Sequence, residues 1–157
     1  MTDAPIPDLS LLRSFSPLDG LKAEAGELSL RWVNARPCEL LDAWIVPYRP
    51  LCEKKGLELI LDNRVERAVV VPMDVARMER VLANLVSNAI KFTDTGSVTV
   101  RCSTTPKDLL FQIIDTGSGI PEKEREKVFD RFYQGFNTAL RDHGGSGIGL
   151  SFVREVV

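Results

Sequence analysis

Between Asp74 and Lys91 the chain reads DVARMERVLANLVSNAIK, and Val75, Met78, Val81, Leu82, Leu85, Val86, Ala89 and Ile90 recur at helical spacing. That period gathers them into one apolar stripe, which a soluble chain must bury against another layer. Asp74 suits the N-cap position and Thr95-Gly96 ends the element. Strand-like runs flank it. LELILD (57–62) and VVVP (69–72) precede it, and SVTVRCS (97–103) alternates apolar with polar residues. DLLFQIID (108–115) is more continuously apolar, the pattern expected of a more central strand, and the TPKD between the last two makes them a hairpin. The expected architecture is α/β: a two-layer sandwich with a mixed, mainly antiparallel sheet and helices on one face.

The rest of the chain fits around that unit. LSLRWV (28–33) alternates like a half-buried strand. A helix starting at Pro37 carries Leu40, Leu41, Trp44, Ile45 and Tyr48, and Pro47 and Pro50 should bend it. PEKEREKVF (121–129) reads as a short amphipathic helix, residues 133–146 as a polar glycine-bearing loop, and Gly147 to Val157 as the start of an apolar helix. At 157 residues, 44% apolar and 27% charged, one globular domain is expected. A net charge of -2 gives no electrostatic case for nucleic acid or an anionic membrane surface, and no apolar run approaches a membrane span. Cys38, Cys52 and Cys102 are scattered and odd in number, which reads as reduced core thiols in a cytoplasmic protein. His143 is the single histidine, leaving little for a zinc site or a serine triad.

Chemistry enters at three places. On the helix, Arg80, Asn84, Asn88 and Lys91 form a second stripe, four, four and three residues apart. Asparagine costs about half a kcal/mol relative to alanine within a helix. The stripe is therefore either a solvated face or a set of amides aimed into a cleft, where they can ligate a hard cation beside a phosphate-binding lysine. GGSGIGL (144–150) matches neither a P-loop nor a dinucleotide fingerprint. It opens a helix whose free N–H groups favour an anion, or it is a loop ending in a helix cap. DTGSGI (115–120) leaves a strand through an acid and then gives up its side chains. It is either a turn, or a carboxylate that accepts from an exocyclic amino group beside glycines that make room for a flat base.

In order and spacing these segments resemble the Bergerat-type ATP-binding fold shared by DNA gyrase, Hsp90-type chaperones, MutL and histidine kinases. The match is to the catalytic domain of sensor histidine kinases. ERVLANLVSNAIKFT is similar to the N box, DTGSGI to the first glycine box, VFDRFYQ to the F box and GGSGIGL to the second glycine box. AEAGELSL (23–30) resembles the segment after that family's dimerisation helices. The resemblance implies a lead-in over residues 1–27, an ATP-binding domain over 28–157 and an ATP lid at 133–146. It implies Mg²⁺ on Asn88 with Asn84 supporting it one turn earlier, Lys91 on phosphate, and Arg131 as a γ-phosphate candidate. Asp115 would read the adenine amino group beside Gly117 and Gly119, with Phe92 and Ile120 bordering the base. Gly145, Gly147, Gly149 and Leu150 would line the phosphate path, and Phe129 and Phe132 would anchor the lid.

The implied function is binding of Mg-ATP and transfer of its γ-phosphoryl group to a histidine. ATP-hydrolysing branches of the fold place a water-activating glutamate where this chain has Asn84, so transfer is expected over hydrolysis. No histidine precedes the ATP boxes, so the acceptor is expected outside this sequence, on a dimerisation domain, with a response regulator downstream. The family's β-hairpin after the last helix is also expected to be lacking here. Two other functions share the fold: an anti-sigma-type protein serine kinase, and an ATP-sensing interaction module without turnover.

Overall fold

Proline placement divides the first helical stretch. Pro37 starts α1 (Pro37–Ile45), where its missing N–H has no helical partner to lose. Pro47 and Pro50 then break the run as expected. A 3-10 turn, Val46–Tyr48, leads into α2 (Arg49–Lys55). Gly56 closes α2 at φ 72, its N–H bonded to the carbonyls of Cys52 and Glu53, a left-handed cap that glycine adopts without a Cβ penalty. These elements belong to a computed structural model that describes residues 30–133 and 148–157.

Three strands form the main sheet in the order β2 (Leu57–Asn63), β4 (Gly96–Thr104), β5 (Leu109–Asp115). β2 runs parallel to β4, with Leu59 opposite Val98, and β4 runs antiparallel to β5, with Val98 opposite Asp115. β1 (Val33–Ala35) and β3 (Val71–Met73) form a separate antiparallel pair, so the described strands make two sheets where the sequence suggested one. α3 (Val75–Phe92) lies between β3 and β4 in the chain, and α4 (Gly149–Val156) closes it.

Period-two alternation puts Leu59 and Leu61 of β2, Val98, Val100 and Cys102 of β4, and Phe111 and Ile113 of β5 on one face. All of them belong to the hydrophobic core or pack against it, together with Leu41 and Ile45 of α1, Cys52 of α2, and Val81, Leu82 and Val86 of α3. The other face carries Asp62 and Arg101, joined by a 2.6 Å hydrogen bond from Arg101 Nε, and Arg64 also donates to Asp62. Helices therefore cover one face of the sheet. Cys38, Cys52 and Cys102 are buried free thiols, and burial pushes the Cys102 thiol up to about 12.

Three local expectations are corrected. DLLFQIID is not the central strand of the described sheet; β4 is, with Val98, Val100 and Cys102 fully buried. The run in β5 looks continuous because Leu110 and Ile114 interleave with the core-facing Phe111 and Ile113. Of the strand expected at 28–33, residues 28 and 29 lie outside the described residues and only Val33 of the rest is in β1; the amide of Arg31 instead donates to Asp74 Oδ2 at 2.9 Å, at the start of α3. PEKEREKVF is two 3-10 turns, Glu122–Glu124 and Lys127–Phe129, rather than one helix. Its entry lacks a side-chain cap, and nine residues fall short of the roughly 12–15 a helix needs without strong packing. Among the described residues no helix is long and apolar enough to cross a membrane.

Candidate functional site

α3 is the spine of the site, and Asp74 sets its start. Its Oδ1 accepts from Arg77 N at 3.1 Å, while Oδ2 pairs with Arg77 Nε at 3.3 Å. Met78, Val81, Leu82, Val86, Ala89 and Ile90 are buried on one side. The polar stripe on the other side has distinct neighbours along its length. Arg80 lies over the Phe152 ring of α4, its Cζ 4.1 Å from the centroid, a cation–π stack. Asn84 Nδ2 donates back to Arg80 O at 2.9 Å. Asn84 Oδ1 lies where a Cβ on Gly149 would come within 2.8 Å of it, so glycine lets α4 begin directly against the asparagine. Asn88 is half-buried one turn further on, and its side chain makes no hydrogen bond among the described residues. Lys91 Nζ stands 4.8 Å from the centroid of the Phe92 ring.

The first glycine box meets the other end of α3. Leu109, Phe111, Ile113 and Asp115 alternate onto the helix-covered face, so Asp115 ends an apolar column with a half-buried carboxylate. Asp115 Oδ1 accepts from Gly117 N at 2.9 Å, and Oδ2 has no partner among the described residues. Gly117 packs so closely on the carbonyl of Phe92 that a Cβ there would collide with Phe92 O and lie 2.9 Å from Asp115 Oδ1. Gly119 is different. It has open space around it but sits at φ 68, so its glycine serves backbone conformation. Thr116 fastens the box to the turn after α3: its Oγ1 donates to Thr95 O at 3.2 Å and accepts from Ser97 N at 3.0 Å. Ile120 is half-buried beside the box, as is Phe92 on α3.

The two glycine boxes thus touch α3 at Asn84 and at Phe92, bracketing Asn88 and Lys91. Eight residues of helix separate the contacts, about 12 Å at 1.5 Å per residue. Leu150, in the first turn of α4, is half-buried, and no side chain caps that helix at Ile148. Arg131 is exposed and its Nη2 meets Glu155 Oε1 of α4 at 2.6 Å. Phe129 is half-buried, whereas Phe132 is 72% exposed at φ 66. Burial, with the nearby Glu124 and Asp130 carboxylates, pushes the Tyr133 hydroxyl up. Gly145 and Gly147, and the expected lid beyond Tyr133, lie outside the described residues.

Sequence reading missed the residues that tie the site together. Lys55 Nζ donates to the carbonyls of Ile90 and Lys91 at 2.8 and 2.9 Å and lies 3.8 Å from Asp94. Thr93, fully buried, returns its hydroxyl to Ala89 O at 2.7 Å. Thr93 was legible in principle, since a threonine just past a helix can bond back four residues. Lys55 was not: its partners lie 35 and 36 residues away.

Known proteins resemble this arrangement in sequence and in shape. The chain is 39% identical over 144 residues to the autoinducer 2 sensor kinase/phosphatase LuxQ of Vibrio cholerae, covering 89% of this chain and 17% of the relative. To the signal transduction histidine-protein kinase BarA of Escherichia coli it is 35% identical over 145 residues, covering 89% and 16%. It therefore spans about a sixth of the length of these relatives. Full-length ShkA in complex with AMPPNP superposes with a TM-score of 0.71 at 25% identity, over 87% of this chain and 28% of that one. The catalytic domain of histidine kinase ThkA gives 0.70 at 24% identity, over 82% of each, a likeness of fold. The model of the histidine kinase-, DNA gyrase B- and HSP90-like ATPases matches residues 73–157, from the last residue of β3 through both glycine boxes to α4, and the chain belongs to that family.

Proposed function

We propose that this chain is the ATP-binding domain of a sensor histidine kinase, which binds Mg-ATP and gives its γ-phosphoryl group to a histidine outside this sequence. One observation carries the reading: Asp115 Oδ2, an acceptor oxygen without a partner among the described residues, belongs to the box that packs on Phe92 of α3, two helical turns from where Gly149 approaches Asn84. An acceptor-only carboxylate suits the amino group of adenine. Gly117 already holds Oδ1, which fixes the carboxylate plane before a base arrives. Phe92 and Ile120 flank the base, and Gly149 and Leu150 face the phosphates.

Asn88 and Lys91, between the two glycine boxes, take the metal and phosphate roles. The donor set fits Mg²⁺, which keeps several waters and uses few protein oxygens: the Asn88 amide would supply one, and phosphates the others. When bound, the ion neutralises charge on the phosphates. Lys91 adds a point charge beside it. Asn84, held between Arg80 O and Gly149, cannot act as a general base, so it stabilises the helix face without activating water. Arg131 meets the γ-phosphate only by leaving Glu155. The acceptor is a dimerisation domain bearing the phosphorylated histidine, and a response regulator takes the group onward. Three buried unpaired thiols suit a cytosolic setting.

The test joins binding to transfer. Calorimetry should show ATP binding that strengthens with Mg²⁺ and falls about 100-fold in Asp115→Asn, whose amide presents a donor to the amino group, about 2.8 kcal/mol. A separately supplied dimerisation domain should acquire acid-labile phosphohistidine. Binding without transfer to histidine or serine would mark an ATP-sensing module, and acid-stable phosphoserine would mark a serine kinase. An Asp115→Asn chain that binds ATP like its parent would refute the adenine assignment.

A further inference from the structure

The last four carbonyls of a helix have no partner within it, and roughly a third to a half of helices meet them with a left-handed, usually glycine, backbone cap. α3 does not. Its C-cap, Thr93, is extended at φ -106, and the chain bends at Asp94 and Thr95 into β4. Side chains and a neighbouring loop take the place of the cap. Thr93 Oγ1 bonds Ala89 O, the Lys55 ammonium bonds Ile90 O and Lys91 O, and Gly117 packs on Phe92 O. A cation at this end also opposes the negative pole of the helix dipole.

From this geometry we infer that Lys55, on the last turn of α2, is a positioning residue for the nucleotide: it holds the end of α3 so that Asn88 and Lys91 keep a fixed relation to Asp115. The inference rests on the ATP reading above. Lys55 reaches its place because Gly56 turns the chain at φ 72 just after it. Its side chain is 32% exposed, so its bonds are partly shielded from water. On the opposite side, Thr116 holds Thr95 and Ser97, and Gly117 holds Phe92. The segment from Ile90 to Ser97 is therefore gripped from α2 and from the first glycine box together. Releasing Lys55 removes its bonds to the Ile90 and Lys91 carbonyls and lets the last turn of α3 fray, and that turn carries Lys91 and Phe92.

The test uses the full chain with Lys55→Met, which keeps the hydrocarbon stem, Lys55→Arg, which keeps the charge and donors, and the exposed Lys54→Met as control. ATP affinity is measured by calorimetry well below the unfolding temperature, and amide hydrogen exchange is followed along α3. Lys55→Met should bind ATP about tenfold more weakly, about 1.4 kcal/mol. Lys55→Arg should return to within about threefold, and Lys54→Met should match the parent. Exchange should quicken at residues 90–92 in Lys55→Met and stay unchanged at 78–82. A purely structural lysine would lower the melting temperature and leave the folded protein's affinity alone. Lys55→Met affinity within twofold of the parent, or no rescue by arginine, overturns the inference. A parent chain that binds no ATP refutes the nucleotide reading instead. In that case selective exchange at 90–92 still supports the grip on α3, and uniform exchange overturns it.

Discussion

Gly117 and Gly119 sit two residues apart, and the structure separates their reasons for being glycine. A methyl group at Gly117 meets the carbonyl oxygen of Phe92, which is backbone in the last turn of a well-packed helix and has little freedom to move. Relief requires the glycine box to shift away from α3. Overpacking of this kind costs roughly 1–3 kcal/mol. A central loss of about 2 kcal/mol lowers the melting temperature by about 4–8 °C in a domain of this size. The shift also pulls Gly117 N from Asp115 Oδ1, a charge-assisted bond in the range of about 1.5–3 kcal/mol. Losing the orientation it gives Asp115 should weaken ATP binding about 10- to 100-fold. Gly119→Ala meets no atom and has only its left-handed backbone to resist, at about 1–2 kcal/mol. Its cost should fall on stability, with ATP affinity changed less than about threefold. Thermal unfolding and calorimetry on both variants distinguish the two reasons. If Gly117→Ala kept its affinity within twofold while Gly119→Ala lost tenfold, the packing argument would be wrong.

Asn88→Ala should reduce ATP affinity in the presence of Mg²⁺ by about tenfold and leave binding in a chelator nearly unchanged, as titrations with and without the metal would reveal; equal losses in both would remove the metal role. On the open face of the sheet, Arg64 and then Arg101 hold the Asp62 carboxyl down at about 2, from an ordinary 3.8. A depressed carboxylate contributes stability above its ordinary value and loses it as pH falls through the depressed one. Asp62→Asn should therefore lower the melting temperature at pH 5 to 7, and the difference should close between pH 4 and pH 2. A gap that persists at pH 2, or that added salt does not shrink, would show that the carboxylate's charge is not its source.

Asn84 joins the middle of α3 to the opening of α4. Its amide donates back to the helix and its oxygen faces Gly149, so both ends of the side chain are engaged by structure. A glutamate there would bring a charge against the opening of α4. With asparagine the same contact keeps the two elements close without placing a charge between them.

Local patterns in the sequence carried much of the fold. The stripe from Val75 to Ile90, the Asp74 cap, the β4–β5 hairpin and the proline break after α1 were all legible, because helical and strand periodicity, capping and proline geometry act within a few residues. The family was legible too, because the segments that carry the resemblance are contiguous runs. Tertiary structure decided what no window of that width contains: that β4 rather than β5 is central among the described strands, that residues 121–129 wind as 3-10 turns, and that Gly117 and Gly149 are glycine for close approach to α3. It also decided the grip on the end of that helix. Lys55 and Ile90 are 35 positions apart, and Thr116 and Thr95 are 21 apart. The first bond exists because α2 and α3 pack on one face of the sheet, and the second because the β4–β5 register sets Thr116 beside the start of β4. The sequence by itself determined the elements and the family, through patterns that act within a few residues, and the packed core determined the distances between those elements.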